Sequence, residues 1–168
     1  MALTISSVGV ASFLQTLGAL SKILDKAAAH CAAKKIDQAV LLQTRLTPDM
    51  FSFVKQVQLA CDFAKNTLGR LTGEPPKFPD DEKTLDELKA RIAKTIDYVK
   101  SFKPEQVDAT EEKDVTFPIG PQQTMTLNGA QYLIGFALPN FYFHATTAYD
   151  ILRQCGVEIG KRDFLGRT

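Results

Sequence analysis

The sequence predicts an all-α protein, a four-helix bundle in up-down order with a small β-hairpin inserted between its third and fourth helices. Four segments repeat apolar residues every three or four positions, the period of a helix with one buried face. One stretch near residue 120 switches to a period of two, as a strand requires. Start and stop residues bracket several of these segments, which separates real helices from accidental spacing.

The first helix carries Phe13, Leu17, Leu20, Leu24, Ala27 and Cys31 on one stripe and is closed by Lys34, Lys35 and Asp37. A short apolar patch, Ala39 to Leu42, precedes a turn-like stretch from Arg45 to Pro48. The second helix is expected to start there, with Thr47 as cap, Pro48 in the first turn and Asp49 complementing the positive end of the dipole. Its stripe is Met50, Phe53, Val54, Val57, Cys61, Ala64, Leu68 and Leu71, ending at Gly73. The segment GEPPKFPDDEK, with three prolines and a charge run, is a surface connection in which Asp80, Asp81 and Glu82 are expected to be solvated.

Thr84 and Glu87 form a T-x-x-E capping box at the start of the third helix. Leu85, Leu88, Ile92, Ile96, Val99 and Phe102 make its core stripe, Glu87 and Arg91 fall on the wet side, and Pro104 ends it. Val115, Phe117 and Ile119 then alternate with Thr116 and Pro118, Gly120-Pro121 turns the chain, and Thr124 to Leu127 alternate again. This is a hairpin, with Pro118 confined to an edge or a bulge. The fourth helix begins near Asn128, is apolar nearly all round, and is kinked by Pro139 before Gly156 ends it. A helix of that kind is either central to the bundle or buried on two sides, the second against a partner chain, and a homodimer is expected.

Composition narrows the function. A chain of 168 residues, 45% hydrophobic and 23% charged, is one domain spanning residues 1–168 with a full core. Twenty basic and nineteen acidic residues leave a formal charge of +1, which gives no footprint for nucleic acid or for an anionic membrane. No continuous apolar run has the length of a membrane span, and the N-terminus lacks a basic start and a small-residue cleavage site, so a cytoplasmic setting is expected. Three cysteines without a close pair fit neither a disulfide framework nor a zinc knuckle. Phosphate-binding glycine loops and a G-x-S-x-G elbow are absent from the sequence.

The candidate site lies on the fourth helix. His144 stacks at helical spacing with Asn140, Phe141 and Ala148 and has Tyr142 and Phe143 beside it. It is either a core histidine bonded to a neighbouring helix or a pocket residue acting as base or single metal ligand. Asn140 is either a pocket donor or the group that satisfies backbone freed by Pro139. Gln58 and Asp62, four apart on the second helix, flank its stripe and either face a pocket or are solvated. His30 is expected near a helix end and exposed or half-exposed, and the cysteines are expected to behave as small hydrophobes.

The strings GFALPNFYFHATTAYDILRQCGVEIGKRDFLG and RLTPDMFSFVKQVQLACDFAK resemble an uncharacterised domain-of-unknown-function family of small bacterial proteins grouped with the DinB-like superfamily. That resemblance implies a DinB-like four-helix bundle, often dimeric. It also implies comparison with a three-histidine metal site, one ligand from the second helix and two from an HxxxH step on a later helix, used by some relatives as thiol transferases, isomerases or hydrolases. Carried onto this chain, the step reads Asn140 to His144, and Pro48–Leu71 contains no histidine. His144 is then the one surviving ligand, and asparagine is a poor transition-metal ligand beside imidazole. The expectation is a metal-free, cofactor-free homodimer with a small pocket lined by His144, Asn140, Tyr142 and Gln58. The alternatives are a divalent-metal transferase or hydrolase using His144, Asn140 and an oxygen from Gln58 or Asp62, and a small-ligand binding module.

Overall fold

The computed structural model describes residues 3–167. It is mostly helical with one two-stranded antiparallel sheet. Helix α1 (Ile5–Lys34) begins at Thr4, which shares a capping box with Ser7. Among the described residues it is the one helix that is, by length and composition, long and apolar enough to cross a membrane. Here its stripe of Phe13, Leu17, Leu20, Leu24 and Ala27 is buried, and the helix packs chiefly on the third long helix.

Residues 38–43 form a short helix, α2 (Gln38–Gln43), capped by Asp37. The next helix, α3 (Phe53–Thr72), starts later than Thr47 and Pro48 predict, at Ser52. Thr47 instead donates its hydroxyl to Asp49 Oδ1 (2.7 Å), and Met50 N–H bonds the Thr47 carbonyl (3.1 Å). These residues satisfy one another in a closed turn, which leaves the helix to begin at the first position where an apolar residue, Phe53, reaches the core.

Helix α4 (Leu85–Lys100) has the predicted capping box, with Thr84 and Glu87 each accepting the other's backbone N–H. It stops before Pro104, which opens a helix of its own, α5 (Pro104–Asp108). Leu85, Leu88, Ile92 and Val99 are buried as the stripe predicts, while Ile96 and Phe102 are half-buried. Arg91 departs from its expected place on the wet side. It is buried, because the loop before the helix folds over it.

Strand β1 (Asp114–Gly120) pairs with β2 (Gln123–Asn128), Phe117 opposite Met125, with an irregularity between Pro118 and Gly120. Val115 and Phe117 point into the core and the other β1 side chains point out. The final long helix comes in three pieces: α6 (Gly129–Gln131), capped by Asn128; a π-helical segment, Tyr132–Ala137; and α7 (Leu138–Gln154). The π segment answers the proline. Pro139 has no N–H to give, and Leu138 N–H bonds the carbonyl of Leu133, five residues back, so the ladder widens by one residue ahead of the ring. Gly156 ends the helix with φ of +82°, a conformation that favours glycine. The tail folds back through α8 (Lys161–Phe164), with Lys26 paired to Asp163 (2.5 Å) and Gln15 donating to the Leu165 carbonyl (3.2 Å). Helix α3 packs chiefly on α7 and α4, so it meets His144 of the last helix through Gln56 and Arg91 of α4 through Asp62.

Candidate functional site

The π segment and α7 deliver His144 inward, facing α3. Its side chain is buried, and Nδ1–H donates to Gln56 Oε1 at 2.7 Å. Gln56 is itself buried and directs its amide nitrogen to the Phe51 carbonyl (3.3 Å), so its oxygen is the atom left to face the ring. The imidazole stacks on Phe63 with centroids 5.5 Å apart and meets Phe143 edge-on at 5.3 Å. Burial first, and the nearby Lys55 ammonium second, push its pKa down to about 4. It is held as a neutral ring.

Asn140, one turn earlier, donates from Nδ2 to the Phe136 carbonyl at 2.8 Å. Its amide serves backbone in the π segment next to Pro139. Tyr142 is 38% exposed on the outside of the helix, its ring beside Phe141. The three predicted residues of this helix therefore share one helix without sharing one cavity.

Gln58 and Asp62 are brought together elsewhere, in a charged cluster around Arg91. The guanidinium donates from Nη1 to Glu82 Oε1 (2.9 Å) and the Pro79 carbonyl (2.8 Å), and from Nη2 to Asp62 Oδ1 (3.0 Å) and Asp80 Oδ1 (2.9 Å). Gln58 donates to the other Glu82 oxygen at 2.8 Å, and Lys65 closes on Asp62 at 3.1 Å. Burial works against the charge on Arg91, but Glu82 and Asp62 outweigh it and hold the guanidinium protonated more firmly than usual. Lys55 bonds Asp80 at 2.5 Å, and that contact, with burial overcome, keeps the Asp80 carboxyl below the usual carboxylate range.

Phe78 sits over this cluster with the Lys94 ammonium 4.1 Å and the Lys65 ammonium 4.6 Å from its ring centre. An open groove of about 460 Å³ runs past Phe78, Glu82, Lys83, Arg91 and Lys94. Within it Arg91 is matched to Glu82, while Lys94 faces the Phe78 ring. Asp80 and Glu82 are thus counter-charges to Lys55 and Arg91, whereas Asp81 is exposed as expected.

Sequence reasoning missed Gln56, Lys55, Phe78 and the burial of Arg91. Arg91 had a signal, since it stands three residues after Leu88 and four before the buried Thr95, on the row that the core stripe uses. His30 is half-buried, its Nε2 has no partner, and it lines a depression of about 500 Å³ with Lys26, Lys34 and Glu158. The cysteines are free. Cys61 is buried with its thiol pushed up to about 12 by desolvation, and burial raises Cys31 as well, so neither forms a thiolate near neutral pH.

A three-histidine metal centre does not fit these residues. Helix α3 supplies no histidine and Asn140 is committed to Phe136, which leaves the Nε2 of His144 as the one imidazole nitrogen of the three-histidine set. Among the described residues no three His, Cys, Asp or Glu side chains are grouped to hold a metal ion.

This fold has a solved counterpart. The chain is 42% identical to a DinB family member protein from Shewanella denitrificans, known from its crystal structure, with a TM-score of 0.87 over 95% of this chain and 90% of that one. Residues 6–165 match the family described as a domain of unknown function, DUF1993, and the chain belongs to that family. A search of curated proteins finds no match.

Proposed function

We propose that this protein is a metal-independent member of the DinB-like group, a four-helix bundle of α1, α3, α4 and α7 that works by binding and does so as a homodimer. One observation carries the metal-independent half: α3 supplies no histidine, and Asn140, one turn before His144, gives its amide to the Phe136 carbonyl 2.8 Å away, so His144 has no second imidazole beside it. A ligand set of His144, Asn140 and Gln58 or Asp62 would have to draw Gln58 from Glu82 or Asp62 from Arg91 toward a histidine that faces Gln56. The homodimer half is supported by Ile134 and Phe143, which are 57% and 54% exposed on the outer side of the last long helix.

Sedimentation of the untagged protein at micromolar concentration, with and without EDTA, tests the reading. A dimer indifferent to chelator is expected. A monomer contradicts the homodimer, and a dimer that dissociates with EDTA contradicts metal independence.

A further inference from the structure

From Val115 to Tyr149 the sequence contains no Asp, Glu, Lys or Arg, although these make up 23% of the chain. The stretch is far from wholly buried. Among the described residues it supplies five of the nine exposed large hydrophobics: Ile119, Met125, Ile134, Tyr142 and Phe143. On the last long helix Ile134 is exposed, and five residues on, past the π segment, Pro139, Tyr142, Phe143 and Thr146 are exposed at steps of three and four, one stripe down the outer side.

The hairpin is fastened beside that helix by Phe117, whose ring lies 4.5 Å from Phe136 and 4.7 Å from Tyr132. An apolar hollow of about 560 Å³, lined by Leu127, Ala130, Gln131, Ile134 and Gly135, joins the end of β2 to the helix stripe. Strand and stripe therefore make one continuous uncharged face.

The edge of that face is a strand without protection. β2 pairs with β1 alone, and among the described residues Gln123–Leu127 have no other backbone partner. Natural edge strands are blunted by charge or proline. β1 carries Pro118, whereas β2 reads QTMTLN, with neither, and Gln123 to Thr126 are exposed.

We propose that this face docks a second copy of the chain about a twofold axis, the two β2 edges pairing antiparallel into a four-stranded sheet with the Ile134 hollows alongside. Charge decides in favour of a second copy. In a twofold interface charge near the axis meets its like, and an uncharged face is self-compatible. A partner chosen by charge would find nothing to pair with here. Depletion of charge is also the mark of an interface core, and an isolated two-stranded sheet gains most from extension.

The inference rests on the homodimer reading above, and its test separates the two. Ile134→Glu and Met125→Lys are compared with wild type and with Val40→Lys, a control at a 63% exposed position outside the face, by sedimentation equilibrium. Both face variants are expected to weaken dimerisation by about a hundredfold or more, with unchanged helical circular dichroism, while Val40→Lys stays dimeric. A monomeric wild type overturns the homodimer itself. A wild-type dimer that survives both substitutions leaves the homodimer standing and overturns this face. Amide exchange reads the strand pairing directly: protection at Thr124 to Leu127 is expected in the dimer and lost in Ile134→Glu, and a dimer with fast exchange there overturns the paired edges.

Discussion

His144 Nδ1 and Gln56 Oε1 lie 2.7 Å apart between α7 and α3, inside the contact that joins the two helices most extensively. The bond uses the neutral ring as donor and leaves Gln56 oriented by the Phe51 carbonyl. A residue that a metal enzyme of this fold would present to an ion is here part of the packing between two helices.

Acid should expose that role. The native imidazole titrates at about 4, against 6.5 for a free one. Below pH 6.5 the unfolded chain takes up a proton that the native ring refuses. This contribution to stability is therefore complete above pH 6.5 and is lost as pH falls toward 4, by as much as about 3 kcal/mol. Urea unfolding of wild type and His144→Gln at several pH values isolates it: the difference between the two should change over that window and be flat above pH 7. A flat difference throughout would show that the ring titrates normally.

Removing the acceptor leaves a buried donor unmatched. Gln56→Leu should cost about 1–3 kcal/mol, and the double variant with His144→Phe should cost less than the two single losses added together. Simple additivity in denaturant unfolding would deny the coupling.

Arg91 ties the connection between α3 and α4 to both helices through Pro79, Asp80, Glu82 and Asp62. Arg91→Ala leaves carboxylates without their shared partner and should destabilise by about 3 kcal/mol. It should also open residues 74–83 to limited proteolysis under conditions where wild type resists. Unchanged cleavage would mean the loop is held by something other than the arginine.

Two glycines should respond oppositely to the same substitution. A Cβ at Gly129 would stand 2.1 Å from the Thr110 carbonyl oxygen, a backbone atom that cannot swing aside, whereas at Gly18 nothing lies within 4 Å. Gly129→Ala is expected to cost about 2–3 kcal/mol and Gly18→Ala, inside α1, to add about 0.5–1 kcal/mol. Thermal unfolding of the pair checks both signs.

Much of this molecule was readable in its sequence where local chemistry decides. The Thr84–Glu87 box, the disturbance of the helix ahead of Pro139 and the stop at Gly156 all act within a few residues, and a small two-stranded sheet is present as the alternation implies. Failures came where a distant segment decides. Thr47 and Pro48 carry good helix-start chemistry, but Thr47 found Asp49 first. Arg91 and the acidic run look solvated until the proline-rich connection lays Phe78 and Glu82 across α4. For the site, His144 and Asn140 could be picked out, but their partners could not, since Gln56 lies 88 residues away and the Phe136 carbonyl depends on the π segment. The uncharged run from Val115 to Tyr149 was visible in composition alone; that it forms one exposed face needed the packing of the hairpin on the helix.

The most direct test of the central claim is elemental analysis of untagged protein purified without chelator, in parallel with His144→Ala. The structure predicts no near-stoichiometric zinc, nickel or other transition metal in either sample, with the variant less stable. Near-stoichiometric metal in wild type that disappears from His144→Ala would contradict it, and would make the histidine a ligand rather than a link between α7 and α3.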